Sequence, residues 1–140
     1  MIDFQITAEI IDCIGSDYGI TFHRAYDVAV DDHAVALESL SRLGCNYLLT
    51  SGRAKNVELG YNELCKMEKI IHQKKLPISL LLGGGVSSDL IQYFLDNSKI
   101  RAFHGSFSDK KEFQNKIFNL GRKYLSDPSS IKKAISLLDH

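Results

Sequence analysis

Two short apolar runs in this sequence each end in a histidine and then turn polar. The first is Ile20-Thr21-Phe22-His23-Arg24-Ala25-Tyr26-Asp27, and the second is Ile100-Arg101-Ala102-Phe103-His104-Gly105-Ser106. An imidazole titrates near neutrality, so His23 and His104 are candidates for general acid/base work or for nitrogen ligation. Arg24 and Asp27, three residues apart, suit an anion clamp, although an Arg-Asp pair at that spacing is more often structural. Two further runs end differently, in Thr50-Ser51-Gly52 and in Gly83-Gly84-Gly85. Thr50 and Ser51 are small hydroxyl donors that position a ligand or cap a helix. The glycines have no Cβ and let backbone approach a ligand closely, although glycine after a strand is also a common turn device. With Ser106 and the amides of the following helix starts they would form an anion cradle. The candidates are therefore His23, Arg24, Asp27 and His104 for catalysis. Thr50, Ser51, Gly52, Gly83, Gly84, Gly85 and Ser106 are the candidates for ligand or anion binding.

The elements that position these groups follow from periodicity. Ile6, Ile10, Ile11 and Ile14 recur at helical spacing, with Asp3 as N-cap and Gly15 as stop, and Ser16, Asp17 and Gly19 turn the chain into the first strand. Asp31 or Asp32 caps a helix to about Leu43, with Ala34, Leu37, Leu40 and Leu43 apolar, and Gly44 ends it. The strand Tyr47–Thr50 follows, then a helix carrying Leu64, Met67, Ile70 and Ile71. After Pro77 comes Ile78–Leu82, a near-continuous apolar run of the kind buried on both faces. Ser87 or Ser88 caps a helix with Leu90, Ile91, Phe94 and Leu95, which leads to the strand around Phe103. Phe113, Ile117, Leu120 and Tyr124 predict a fifth helix. Asp127-Pro128 open a last helix through Ile131, Ala134, Ile135 and Leu138. Strands alternating with helices imply parallel βαβ crossovers, with all four strand tips at one edge of the sheet. Alternation assigns Thr21, Leu48, Leu80 and Ala102 to the face away from the helices. Residues 1–18 are read as a preceding helix, 19–108 as four βα units and 109–140 as C-terminal helices.

Lys plus Arg and Asp plus Glu both number 17. The formal net charge is zero, which argues against nucleic acid or an anionic membrane as partner. No apolar run is long enough to span a bilayer and no signal peptide is read, so the expected location is the cytoplasm. Cys13, Cys45 and Cys65 are odd in number and lack metal-site spacing, and they are read as reduced, buried small hydrophobes. His33, His72 and His140 are read as solvated surface. The metal ligands stay open.

The four tip motifs, Ile20 to Asp27, Leu48-Leu49-Thr50-Ser51-Gly52, Gly83-Gly84-Gly85-Val86 and Phe103-His104-Gly105-Ser106, resemble the copper homeostasis protein family CutC in order and spacing. The resemblance runs from the first helix to about Ser108. It implies a TIM (β/α)8 barrel and a role in copper handling. The four strands here then form a (βα)4 half of that barrel, corresponding to strands five to eight. The resemblance also implies that the family's N-terminal cysteine and acidic positions and its Arg-Pro-Arg segment have no counterpart in these residues. None of the three cysteines falls on a family cysteine motif. Leu82 stands where the family usually has proline, and Gly105 where it usually has alanine.

Three functions follow as expectations. One is copper handling, on the resemblance, with copper as the implied ligand. Another is a TIM-barrel small-molecule enzyme or sensor with an anion or phosphate site at the strand tips. The third is a non-catalytic truncated remnant. A half-barrel leaves two strand edges unpaired, so the expected assembly is a homo-oligomer or a pairing with a separate N-terminal half.

Overall fold

A computed structural model of the chain describes residues 1–15, 17–110 and 124–139. Helix α1 spans Phe4–Ile14, and the Asp3 side chain accepts a hydrogen bond from the Ile6 amide at 3.0 Å. Strand β1 covers Ile20–Phe22 and passes into a 3-10 turn, Arg24–Val28. Next come α2 (His33–Arg42), β2 (Cys45–Thr50), α3 (Tyr61–Lys74), β3 (Ser79–Gly83), α4 (Ser88–Asn97) and β4 (Ala102–His104). Asp32 caps α2 through the amides of Ala34 and Val35, and Ser87 caps α4 through that of Leu90. A small antiparallel pair, β5 (Ser108–Lys110) and β6 (Tyr124–Ser126), precedes α5 (Pro128–Leu138).

Strands β1 to β4 form one parallel sheet in sequential order, the pattern expected of successive right-handed βαβ units. Register divides the sheet residues between two faces. Phe22, Leu48 and Leu80 align across strands, as do Thr50, Leu82 and Phe103. Leu48, Thr50 and Leu82 are completely buried, and so are Leu37, Leu40, Leu64 and Met67 of the helices. This is the helix-covered core. Thr21, Tyr47, Ser79 and His104 occupy the opposite face and are exposed, while Leu49, Leu81 and Ala102 there are half-buried.

Several expectations change. Leu48 and Leu80 lie under the helices, because register pairs them with Phe22; only Thr21 and Ala102 of that set face away. Tyr124 belongs to β6, paired with Lys110, where the apolar spacing had suggested helix. The other residues of that helix, Phe113, Ile117 and Leu120, fall outside the described residues, as do Ser16 and His140. Cys45 is buried and Cys65 half-buried, but Cys13 is exposed, on the outer side of α1. His33 is half-buried and hydrogen-bonded, not solvated, since α2 begins against Tyr26.

Leu82 sits in the covered layer beneath the tip of β3. Leu82→Ala is expected to cost about 2–5 kcal/mol in urea unfolding. A loss below about 1 kcal/mol would mean that this layer is not packed as described.

Candidate functional site

The tips of β1 and β2 meet at one carboxylate. Asp27 lies in the 3-10 turn after β1, its side chain 8% exposed, and receives hydrogen bonds from its own turn and from the tip of β2. Arg24 Nε donates at 2.7 Å and Thr50 Oγ1 at 2.5 Å. The backbone amides of Ser51 and Arg53 donate at 3.1 Å each. Ser51 Oγ lies 3.0 Å from Asp27 Oδ2 and 2.6 Å from the Ala54 carbonyl, so its one proton serves one of them at a time. Burial pushes the Asp27 carboxyl up, but the bonds from Thr50, Arg24, Ser51 and Arg53 outweigh it and hold the group below the usual carboxylate value. Asp27 is thus an ionised anchor whose lone pairs are taken, poorly placed to accept a substrate proton.

Arg24 is the group this anchor holds. Nη2 donates to Ser51 Oγ at 2.6 Å, and the side chain remains 39% exposed. The guanidinium rests against Gly84: a Cβ there would stand 2.5 Å from Nη1 and 3.1 Å from Cζ. Gly84 has φ +109° and Gly85 φ +74°, so side chains are disfavoured on both conformational and steric grounds. The missing Cβ at Gly84 makes room for arginine, and a ligand approaching the glycine loop meets Arg24. The loop is also tied down from behind, since the Val57 amide donates to the Gly84 carbonyl at 3.0 Å. Gly52 (φ +73°) closes in similarly on the carbonyl of Gly60, folding residues 51–60 against the start of α3.

The remaining candidates are more dispersed. His23 is exposed and caps the 3-10 turn, its Nδ1 accepting from the Ala25 amide at 3.1 Å, which places the ring proton of the neutral form on Nε2. His104 is exposed at the tip of β4, level with Gly83. With β1 and β4 at opposite edges, three strand spacings separate the two tips, about 14 Å at ~4.8 Å each. Ser106 Oγ lies 3.0 Å from Ser108 Oγ and leads into β5, so no helix start follows β4 directly. Helix α4 follows the glycine loop closely, but Ser87 already serves its Leu90 amide. The two-helix cradle is therefore not assembled among the described residues. Gly105 packs beneath the Phe107 ring, where a Cβ would come to 3.0 Å, a local reason for glycine in place of alanine. Among the described residues, no three His, Cys, Asp or Glu side chains cluster as a metal site would require.

Motif reading missed a supporting layer. Arg53 adopts φ +58°, which turns its amide to Asp27 and lays its guanidinium 4.7 Å from the Tyr26 ring centroid. Its Nη2 donates to the Asp31 carbonyl at 2.5 Å. Tyr26 is fully buried, and burial pushes its phenol up to about 12. The phenol lies 2.5 Å from His33 Nδ1, and His33 Nε2 lies 3.2 Å from Glu63. Tyr26 stood in the opening motif without a role, and His33 at a helix start was the other available signal.

Asp27→Asn is expected to cost about 3 kcal/mol at neutral pH, since it removes charge-assisted bonds from a buried site. A carboxyl with a depressed folded pKa stabilises fully above its unfolded pKa of about 4, and that contribution fades as pH falls through the folded value. The gap in melting temperature between wild type and Asp27→Asn should therefore narrow below about pH 4. A gap independent of pH from 7 to 2.5 would show that the charge at Asp27 is not what holds the tips.

Comparison with known proteins agrees with the tip motifs. The family model described as CutC family matches residues 1–109. A family protein CutC of Aliivibrio fischeri is 29% identical over 123 residues, 87% of this chain and 48% of its own length. Its counterpart in Bacteroides thetaiotaomicron is 32% identical over 124 residues, covering 86% and 48%. That of Vibrio atlanticus is 39% identical over 85 residues, covering 61% and 33%. The chain spans about half the length, or less, of these curated relatives. With a family model covering most of its residues, this chain belongs to the CutC family.

Proposed function

We propose that the strand-tip mouth of this CutC-family chain binds a small anionic ligand, with Arg24 as its charged recognition group. The observation that carries this reading is the lodging of the Arg24 guanidinium on Gly84. Nε and Nη2 are engaged by Asp27 and Ser51, which fixes the plane of the fork with Nη1 lodged against Gly84. A preorganised guanidinium loses little side-chain entropy on binding a phosphate or carboxylate and presents a planar donor edge to it. The Arg24 guanidinium is 39% exposed, whereas the Asp27 side chain that holds it is 8% exposed, so the charge that meets solvent there is the positive one. His23, with Nδ1 occupied as a cap, offers Nε2 for proton transfer to a ligand held there. In this reading the four βα units correspond to strands five to eight of the family's barrel, and the mouth is the C-terminal face on which such barrels carry their sites.

Copper handling is the second reading, favoured by the family name. Two exposed imidazoles about 14 Å apart do not share one ion, and the three cysteines stand apart on α1, β2 and α3. Copper titration of the chain is expected to give only weak binding. A tight stoichiometric site that survives replacement of both His23 and His104 by Ala would shift this reading to the cysteines.

The anion reading is tested by melting in graded inorganic phosphate against chloride of equal ionic strength. Phosphate tenfold above its dissociation constant adds about 1.4 kcal/mol to the folded state. Arg24→Gln and Gly84→Asp, each referred to its own phosphate-free melt, should lose most of the shift. An equal shift in all three proteins, or none in a folded wild type, would overturn the assignment of Arg24.

A further inference from the structure

We propose that the chain carries a second ligand site, at the end of the sheet opposite the mouth, which takes an organic anion with an apolar body. The site is separate from the mouth and independent of Arg24. A cavity of about 840 Å³ lies at the amino ends of β2, β3 and β4, a volume within the range of small-molecule sites. Its walls are internal to the sheet. They come from the starts of three adjacent strands, from the second half of α3, which joins β2 to β3, and from the connection between α4 and β4.

The base of the cavity is apolar. Ile78, Leu80 and Ile100 are almost wholly buried, at 2%, 5% and 4% exposure, and so form a packed, fixed surface. Ile71 of α3 is half-buried beside them. Tyr47, 41% exposed and level with Ser79 in the sheet, adds a ring on which an apolar body can rest.

The rim is basic. Lys69, Lys99 and Arg101 line the cavity against a single carboxylate, Glu68, in a chain whose formal net charge is zero. Among the described residues none of these three cations forms an ion pair, whereas Arg24, Arg42, Lys66, Lys74 and Lys133 each do. Cations at a helix C-terminus ordinarily serve its last carbonyls. Arg101 does so through Nη1 alone, which donates to the carbonyls of Ser98 and Ile100 at 2.8 Å each. Lys69 lies in the body of α3, more than a turn before its end, and has no such duty.

The rim is also held in place. Glu68 accepts from the Lys99 amide at 2.6 Å, which ties α3 to the α4–β4 connection and occupies the one acidic group. Ser98 Oγ donates to the Phe94 carbonyl at 2.7 Å and accepts from the Ile100 amide at 3.2 Å. The backbone that carries Lys99 and Arg101 is thus fixed before a ligand arrives, which lowers the ordering cost of binding. An apolar base beside a basic rim selects molecules with both features: a carboxylate, sulfonate or phosphate ester on a ring or short hydrocarbon body. A bare inorganic anion would use only the rim, and a neutral hydrocarbon only the base.

Anilinonaphthalene sulfonate, an organic anion whose fluorescence rises on leaving water, is the probe. Titrated into the folded chain, it should fill one saturable site, and uncharged phenylnaphthylamine should bind about tenfold more weakly or worse. Lys99→Gln combined with Arg101→Gln, both at exposed positions, should weaken the probe about tenfold or more while the melting temperature changes little. Ser79→Trp builds an indole into the cavity from another exposed position and should abolish the site. No fluorescence rise with folded wild type, binding that does not saturate, equal affinity for the uncharged analogue, or a site indifferent to either variant would each overturn the proposal.

Discussion

The Asp27 carboxylate is the constraint on which the mouth of this sheet depends. A short turn after β1 and a long loop after β2 have no regular hydrogen bonding between them, and each presents donors that need an acceptor. One buried anion accepts from both, taking the Thr50 hydroxyl, the Ser51 and Arg53 amides and the Arg24 guanidinium together. A neutral acceptor of the same shape would satisfy fewer of these donors and less strongly, because charge-assisted bonds are roughly twice as strong as neutral ones. From that point the arrangement propagates in two directions. Toward the outer face of the tips it fixes Arg24 against Gly84. Toward the core it orients Arg53 over Tyr26, whose phenol continues to His33 and Glu63.

This division between a rigid core side and a charged outer side explains why glycine occurs where it does. Gly84 and Gly52 do not simply loosen turns. Each accommodates a specific neighbour, the Arg24 guanidinium in one case and the Gly60 backbone in the other. The buried tyrosine and the arginine stacked on it then keep the long loop from drifting. The βαβ order supplies the strands, and this knot fixes the geometry of the β1 and β2 tips.

Much of the architecture was legible because it is written in local periods. Asp3, Asp32 and Asp127 act as the caps that their positions suggested, and the runs ending at Thr50, Gly83 and His104 are strands. Face assignment failed for Leu48 and Leu80 because β1 is only three residues long and its pairing with β2 shifts between Ile20 and Thr21. A one-residue slip exchanges the two faces, and alternation within a strand cannot detect it. Tyr124 failed for a related reason: a cross-strand partner, Lys110, overrides helical spacing. At the site, Arg24, Asp27, Thr50 and Ser51 were visible as polar groups at strand tips, and the structure brings them together. His23, His104 and Ser106 were visible too, but none of them joins the Asp27 hydrogen bonds. Arg53 was illegible, since a positive φ leaves no periodic trace, and His33 was visible only as a histidine at a helix start, its contact with Tyr26 being tertiary.

An experimental structure of the chain with tungstate, an anomalously scattering phosphate analogue, tests the central assignment most directly. The expected result is a tungstate oxygen within about 3 Å of Arg24 Nη1, beside Gly84 and Gly85, with the Arg24–Asp27 pair intact. Tungstate bound only elsewhere, or an Arg24 side chain swung away from Gly84 with Asp27 still ionised, would contradict it.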